Sequence, residues 1–336
     1  MRFAPAAEQR EFATSLRELL AAADVPAASR AWAAGDQAPL RKVWGRLGEA
    51  GALALALTEQ HGGFGATAVD LVLAFEEVGR AAVPGPLIES AAVLPALLVG
   101  TEHAGRLPSI GTGELIATIA MPPTVPYAVD ARYADATYVL EGTDLSEAVL
   151  TGDLSSVDRS RHLATVEAGL TIDTHADADT GYERGALACA AQLVGLGTAL
   201  LERATTYAGQ RVQFGRPIGE FQAVKHQLAD VLVSLELARP LVFAAALALD
   251  DGDTGAGPGR TLERDVSAAK VASGDAAYRA ARTALQVHGA IGYTAEYDLS
   301  LWLTKVRALV TAWGTPQWHR TRVLAAFGAT ASEVAE

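Results

Sequence analysis

The stretch Arg211-Val-Gln-Phe-Gly-Arg-Pro-Ile-Gly-Glu-Phe-Gln222 constrains the fold more than any other part of the sequence. Apolar residues recur at helical spacing over 185–207 before it and 218–249 after it, so the chain has to reverse direction between two long helices. Gly215 permits backbone angles that other residues resist, and Pro217 presets φ for the first turn of the next helix. Arg211, Gln213 and Phe214 then stand at the mouth of the corner as a cation, an amide and an aromatic ring. That set suits a phosphate and a flat heterocycle. It equally suits a corner that an Arg and a Phe merely pin in place.

Two more segments with the same period, 262–288 and 299–327, bring the long helices to four. They are linked by the corner, by the flexible Asp250–Gly259 run of Asp and Gly, and by Gly289–Tyr293. Four antiparallel helices with such connections make an up-down bundle over 181–336, and Pro240 should kink the second helix. Upstream, residues 7–23, 39–51, 70–82 and 90–98 read as helices, the last interrupted by Pro95, with 52–57 as a buried connector. The Gly-rich Thr58–Gly65 lacks the Lys-Ser/Thr of a phosphate-binding loop and reads as a turn. These elements form an N-terminal helical domain over 1–110. Between the two helical regions, 111–180 loses helical period. Short runs at 115–121, 136–140 and 170–173 are separated by Pro, Gly, Thr and Asp, which predicts a small β domain. The fold class is therefore mainly α with a small β insertion.

Composition narrows the function. Half of the 336 residues are apolar, and 27 Lys and Arg against 39 Asp and Glu give a net charge of −12, which argues against nucleic acid or an anionic membrane as partner. The single cysteine, Cys189, excludes an internal disulfide framework and reads as a core residue. The 7 histidines show no metal-ligating spacing, so no metal is expected. The first ten residues carry charges where a signal peptide needs an apolar run, and no uncharged run reaches the roughly 18 residues of a membrane span, which predicts a cytoplasmic protein without a membrane partner.

With this order of helices, small β domain and bundle, three motifs resemble the acyl-CoA dehydrogenase family. They are residues 211–230 as the signature corner and following helix, Gln286-Val-His-Gly-Ala-Ile-Gly-Tyr293 as a second signature, and Trp44 to Gly65 with Phe75-Glu-Glu-Val-Gly-Arg80 as the N-terminal helical region. The resemblance implies flavin chemistry: a glutamate removes a proton from Cα of an acyl-CoA thioester while hydride leaves Cβ for FAD, giving an enoyl-CoA. Such a step needs fixed donors for the developing enolate and a site closed to water.

The departures from the family are as informative as the match. The family's Glu-Gly-Thr base tripeptide corresponds here to Trp313-Gly-Thr315, so an indole stands at the usual base position and is expected to fill the acyl pocket. Glu141-Gly-Thr143 lies in the β segment and is a coincidence of letters. Some relatives carry the base on the helix before the corner. Counting back from Arg211 puts that position at Gly185, whereas the nearest acid is Glu183, two residues and about 200° of helix away. The family's flavin-holding sequences are not evident around Ala120–Tyr127. Lys305 replaces an acid common eight residues before the base position.

By contrast, Arg211, Phe214, Gln222, Gln286 and Gly289, with Gln213 beside them, match positions that in the family reach across a subunit interface to the adenine and pyrophosphate end of a neighbour's FAD. What acts in trans is kept, and what acts in cis is lost. The resemblance therefore implies a non-catalytic small subunit of a heteromeric acyl-CoA dehydrogenase, such as the sterol side-chain type. It would assemble as α2β2 with a larger subunit that binds the acyl-CoA, a steroid-CoA being the substrate expected, and an electron-transfer flavoprotein would be the acceptor. Two alternatives stay open: a competent homomeric dehydrogenase using Glu183, and a flavin-free helical scaffold or regulatory pseudoenzyme.

Overall fold

The computed structural model describes residues 4–251, 262–294 and 297–333, with side chains as far as 327. The N-terminal region holds helices α1 (Ala7–Ala21), α2 (Val25–Ala33), α3 (Ala38–Glu49) and α4 (Ala68–Arg80). A π-helical turn, Glu89–Val93, then leads into α5 (Leu94–Leu98), and α6 (Leu107–Gly111) follows. Helix α1 buries Leu16 and Leu20, as its period predicts. Helix α2 has no counterpart in the sequence reading, although its start is written there. Asp24 caps it by accepting a hydrogen bond from the Ala27 N–H at 3.4 Å, and Pro26 sits in its first turn. It buries Trp32 fully, the indole N–H donating to Asp130 at 3.0 Å and the ring meeting Tyr133 edge-on at 4.8 Å. Residues 52–57 are a mostly buried connector, and Thr58–Gly65 is a turn containing the short 3-10 helix Glu59–His61.

The β region is one five-stranded sheet of β1 (Ala117–Ala120), β2 (Ala128–Val129), β3 (Ala136–Glu141), β4 (Asp144–Leu154) and β5 (Leu163–Asp173). Its order is β1-β3-β4-β5-β2, with β1 and β3 parallel and the other pairs antiparallel. β1 and most of β3 are buried, whereas the far half of β4 stands in solvent. That exposure removes the apolar alternation by which a strand is recognised, and β4 was not anticipated.

The C-terminal region opens with α7 (Ala178–Gln210), followed by a hairpin of β6 (Val212–Gln213) and β7 (Arg216–Pro217), then α8 (Gln222–Asp250) and α9 (Leu262–His288). The expected flexible linker lies beyond Asp251 in residues outside those described. α8 continues through Pro240. The fourth helix, expected as one piece over 299–327, is two: α10 (Leu299–Thr311) and α11 (Pro316–Glu333). Backbone chemistry explains the break, since Trp313 and Gly314 have φ of 55° and 94° and Pro316 starts α11.

Helix α7 is the axis of the molecule. It meets α4 backbone against backbone, because a Cβ at Gly79 would lie 2.1 Å from the Gln192 carbonyl oxygen and one at Gly195 would lie 1.9 Å from that of Glu76. By length and hydropathy both α7 and α8 are apolar enough to cross a bilayer. Within the protein, however, 83% of that window is buried in α7, against 39% in α8.

Candidate functional site

The sequence-predicted residues separate into two places. The first is the break between α10 and α11. Trp313 is 1% exposed, and its ring lies over Gly185 of α7 so closely that a Cβ there would approach the ring to 2.3 Å. A tryptophan at positive φ is strained, and it is held at its carbonyl. The Tyr182 hydroxyl donates to the Trp313 oxygen at 2.7 Å and the His319 Nε2–H donates at 2.8 Å. His319 Nδ1 then accepts from Ser267 Oγ at 3.0 Å, and that oxygen accepts from Arg322 at 3.1 Å, so one neutral tautomer satisfies the whole chain. Burial agrees with this, pushing the His319 pKa down to about 4. Carbonyls left open at the end of α10, those of Leu309 and Val310, accept from the buried Lys270 Nζ at 3.1 and 3.2 Å.

Beyond the indole lies a cavity of about 20 Å³ bordered by Glu89, Arg161, Gln192, Lys305 and Trp313. Glu89 is fully enclosed, and burial lifts its pKa to about 7 against the opposing field of Arg161 and the Trp313 indole N–H. Lys305 pairs with Asp158 at 2.9 Å. Burial alone would raise the Asp158 pKa, but the charge and hydrogen bond of Lys305, with the Ser160 donors, hold it below the usual carboxylate range. Sequence reasoning found Trp313 and the exchange at Lys305. It did not find Glu89 or Asp158, which come from distant segments and carry no local motif.

Glu183, the candidate base, is 3% exposed and paired with Arg322 of α11. Arg322 also pairs with Glu263 at 2.9 Å and lies 4.7 Å from the Trp318 ring centre. Burial raises the Glu183 pKa, while the bond and charge of Arg322 oppose the rise. One carboxylate oxygen is held in this ion pair, and the other, Oε2, is buried without a hydrogen-bond partner.

The second place is the bundle end. Phe214 and Gly215 form the two-residue hairpin turn with φ of 53° and 82°, the left-handed pair such a turn requires. Phe214 is 93% exposed. A bulky ring kept in solvent at positive φ gains nothing for this chain's own core. Arg216 lies 4.3 Å from the Phe221 ring centre, and Phe214 meets the same ring edge-on at 6.3 Å. Tyr207 of α7 stacks on His288 at 4.3 Å, which brings the end of α9 beside the corner. His288 itself is buried, its ring packed on Tyr207. Arg211, Gln213, Phe214, Gln222, Gln286 and Gly289 are thus gathered at one end of the bundle, and all six are exposed. Gly289 has φ of 64° with nothing within 4 Å of where a Cβ would stand. Among the described residues Arg211 has no side-chain partner, so the guanidinium is available to an outside anion.

Comparison with known proteins places these features in a family. Residues 176–327 match the acyl-CoA dehydrogenase C-terminal domain and residues 6–114 match the acyl-CoA dehydrogenase N-terminal domain. The acyl-CoA dehydrogenase IpdE2 of Mycobacterium tuberculosis is 31% identical over 308 residues, covering 90% of this chain and 91% of that protein. Among solved structures, the Tcur3481-Tcur3483 steroid ACAD shares the fold with a TM-score of 0.82 at 22% identity, covering 97% of this chain and 99% of its own. The ChsE4-ChsE5 complex of Mycobacterium tuberculosis shares it with a TM-score of 0.79 at 19% identity, covering 98% and 99%.

Proposed function

This chain belongs to the acyl-CoA dehydrogenase family, and from that premise we propose that it is the non-catalytic subunit of a heteromeric FAD-dependent acyl-CoA dehydrogenase, completing the FAD site of a larger partner. The observation that carries this reading is the Trp313–Gly185 contact. The two positions at which family members carry the base hold an indole and a glycine pressed against each other, over a cavity of about 20 Å³. That space admits about one water, whereas sites for ligands of acyl-CoA or flavin size run to several hundred Å³. The space beside Trp313 therefore does not fit a flavin ring and a thioester.

The bundle end does fit the far end of a cofactor held elsewhere. Arg211 would meet a pyrophosphate through its forked donors, Gln222 and Gln286 would supply amide donors and acceptors, Phe214 and Gln213 would flank the adenine, and Gly289 would let it approach the backbone. When bound in the partner, FAD accepts the hydride that leaves Cβ of the acyl-CoA. This chain's residues would bind and orient its adenine dinucleotide end. The apolar ridge Val233, Leu237 and Leu241 on α8, each at least 40% exposed, supplies a face for a protein neighbour. We assign a steroid-CoA thioester as the substrate class of the assembly, α2β2 as its composition, an electron-transfer flavoprotein as its acceptor and the cytoplasm as its compartment. Likeness to the Tcur3481-Tcur3483 steroid ACAD and to the two-protein ChsE4-ChsE5 complex supports the first two.

The homomeric alternative needs Glu183 as base, and its pairing with Arg322 disfavours that role. The test is dye reduction by the purified chain alone with an acyl-CoA. We expect a colourless protein with no turnover. A yellow protein whose turnover disappears on Glu183→Gln would establish the alternative instead.

A further inference from the structure

A cleft of about 750 Å³ opens between α1, α2, α4, α7 and α10, on the flank of the bundle that faces the N-terminal helices. Three cations line it. Arg17 is paired with Glu77 at 2.6 Å and Arg80 with Glu202 at 2.7 Å. The third, Arg203, lies 3.7 Å from the ring centre of Trp302, whose orientation is fixed by its indole N–H donating to the Arg80 carbonyl at 2.9 Å. Among the described residues Arg203 has no hydrogen bond or ion pair. Other acids around the cleft are engaged, Asp24 as the cap of α2 and Asp298 with Arg30 at 2.5 Å. Burial lowers the Arg203 pKa, with Asp298, Tyr297 and Glu202 opposing the shift through their fields.

Folding thus takes part of the water from a half-buried guanidinium without giving it a hydrogen-bonded counter-ion, while the Trp302 ring 3.7 Å away holds it in place. A cation in that state at the wall of a cleft is suited to an oxyanion from outside. We propose that this cleft is a binding site for a small monoanionic carboxylate carried on a flat apolar body, the carboxylate pairing with Arg203. The flat body is argued from the lining, which brings the rings of Tyr207 and Tyr297 together with the apolar Leu20, Val25 and Pro26. A single charge is argued from the cations themselves: Arg17 and Arg80 are already paired with Glu77 and Glu202, which leaves Arg203 alone to neutralise an incoming charge. The volume lies in the range of small-molecule sites. The cleft contains none of the six proposed FAD contacts; Tyr207 and Gln210, at its edge, are where it comes nearest the hairpin end.

The test is calorimetric titration of the full chain, alone or with its partner, with 2-naphthoate, methyl 2-naphthoate and adenosine monophosphate. Naphthoate is expected to bind, with the neutral ester about tenfold weaker or worse. Arg203→Gln is expected to reduce naphthoate binding to the ester's level, Arg203→Lys to fall between, and Arg211→Ala to leave it intact. The ester comparison uses the unaltered protein and holds even if a variant fails to fold. The proposal is overturned if naphthoate does not bind, if the ester binds as tightly, if folded Arg203→Gln or Arg203→Lys binds unchanged, or if adenosine monophosphate binds Arg211→Ala, which lacks the proposed FAD contact, more tightly than naphthoate does.

Discussion

Trp313 and Gly185 form a pair in which each residue depends on the other. A methyl group added at Gly185 has nowhere to go while the indole is present, so Gly185→Ala is expected to destabilise the fold by about 1–3 kcal/mol through overpacking, and Trp313→Ala by about 3–5 kcal/mol through the cavity it leaves. In the double variant the new methyl enters vacated space, so urea denaturation should return a loss clearly smaller than the sum. Strict additivity would show that the ring does not occupy the space over residue 185. The same neighbourhood carries two opposed titrations. His319, held down near 4 from 6.5, contributes stability that is present above about pH 6.5 and lost as pH falls toward 4. Glu89, lifted from 4.5 to about 7, contributes stability that is present below pH 4.5 and lost as pH rises through 7. Glu89→Gln cannot ionise, so its stability relative to the natural protein should rise by about 2–3 kcal/mol between pH 5 and pH 8. Parallel pH profiles for the two proteins would refute the assignment.

At the scale of elements, the hairpin turn trades stability for exposure. Phe214→Gly removes a bulky residue from positive φ and should raise the melting temperature slightly, by the equivalent of about 1 kcal/mol, while weakening association with a flavin-bearing partner. If the variant associates undiminished, the ring has no role outside this chain. The corner was legible in the sequence because its demands are local: Gly215 supplies the backbone freedom, Pro217 sets the following turn, and Arg211 and Phe214 lie in a short turn too small to enclose them. The bundle was legible from the period of α7, α8 and α9. What escaped was punctuated too finely or was too exposed. Gly314 and Pro316 carry the usual signals for ending one helix and starting the next, but the apolar period on either side bridges them. Asp24 and Pro26 announce α2, yet the helix is only 9 residues long and Ala-rich. Strand β4 turns much of its length to solvent and so lacks alternation. In the candidate site, Trp313 was legible because a motif supplied its position, whereas Glu89, Asp158 and Arg203 acquire their environments from segments far away in sequence.

For the whole molecule the account is a division of labour. One flank of the bundle is closed by Trp313, and one end presents Arg211, Phe214, Gln286 and Gly289 without a use for them inside the chain. Helix α8 leaves Val233, Leu237 and Leu241 in solvent although it is among the most apolar segments of the sequence. A net charge of −12 leaves such a surface uncovered, and the protein neighbour proposed above would account for the ridge and the exposed end together. The most direct measurement is flavin per chain in the complex formed on co-expression with a full-length dehydrogenase subunit, for the natural protein and for Arg211→Ala. We predict one FAD per heterodimer and marked loss of FAD on Arg211→Ala; one FAD for every chain, or flavin content indifferent to Arg211, would contradict the account.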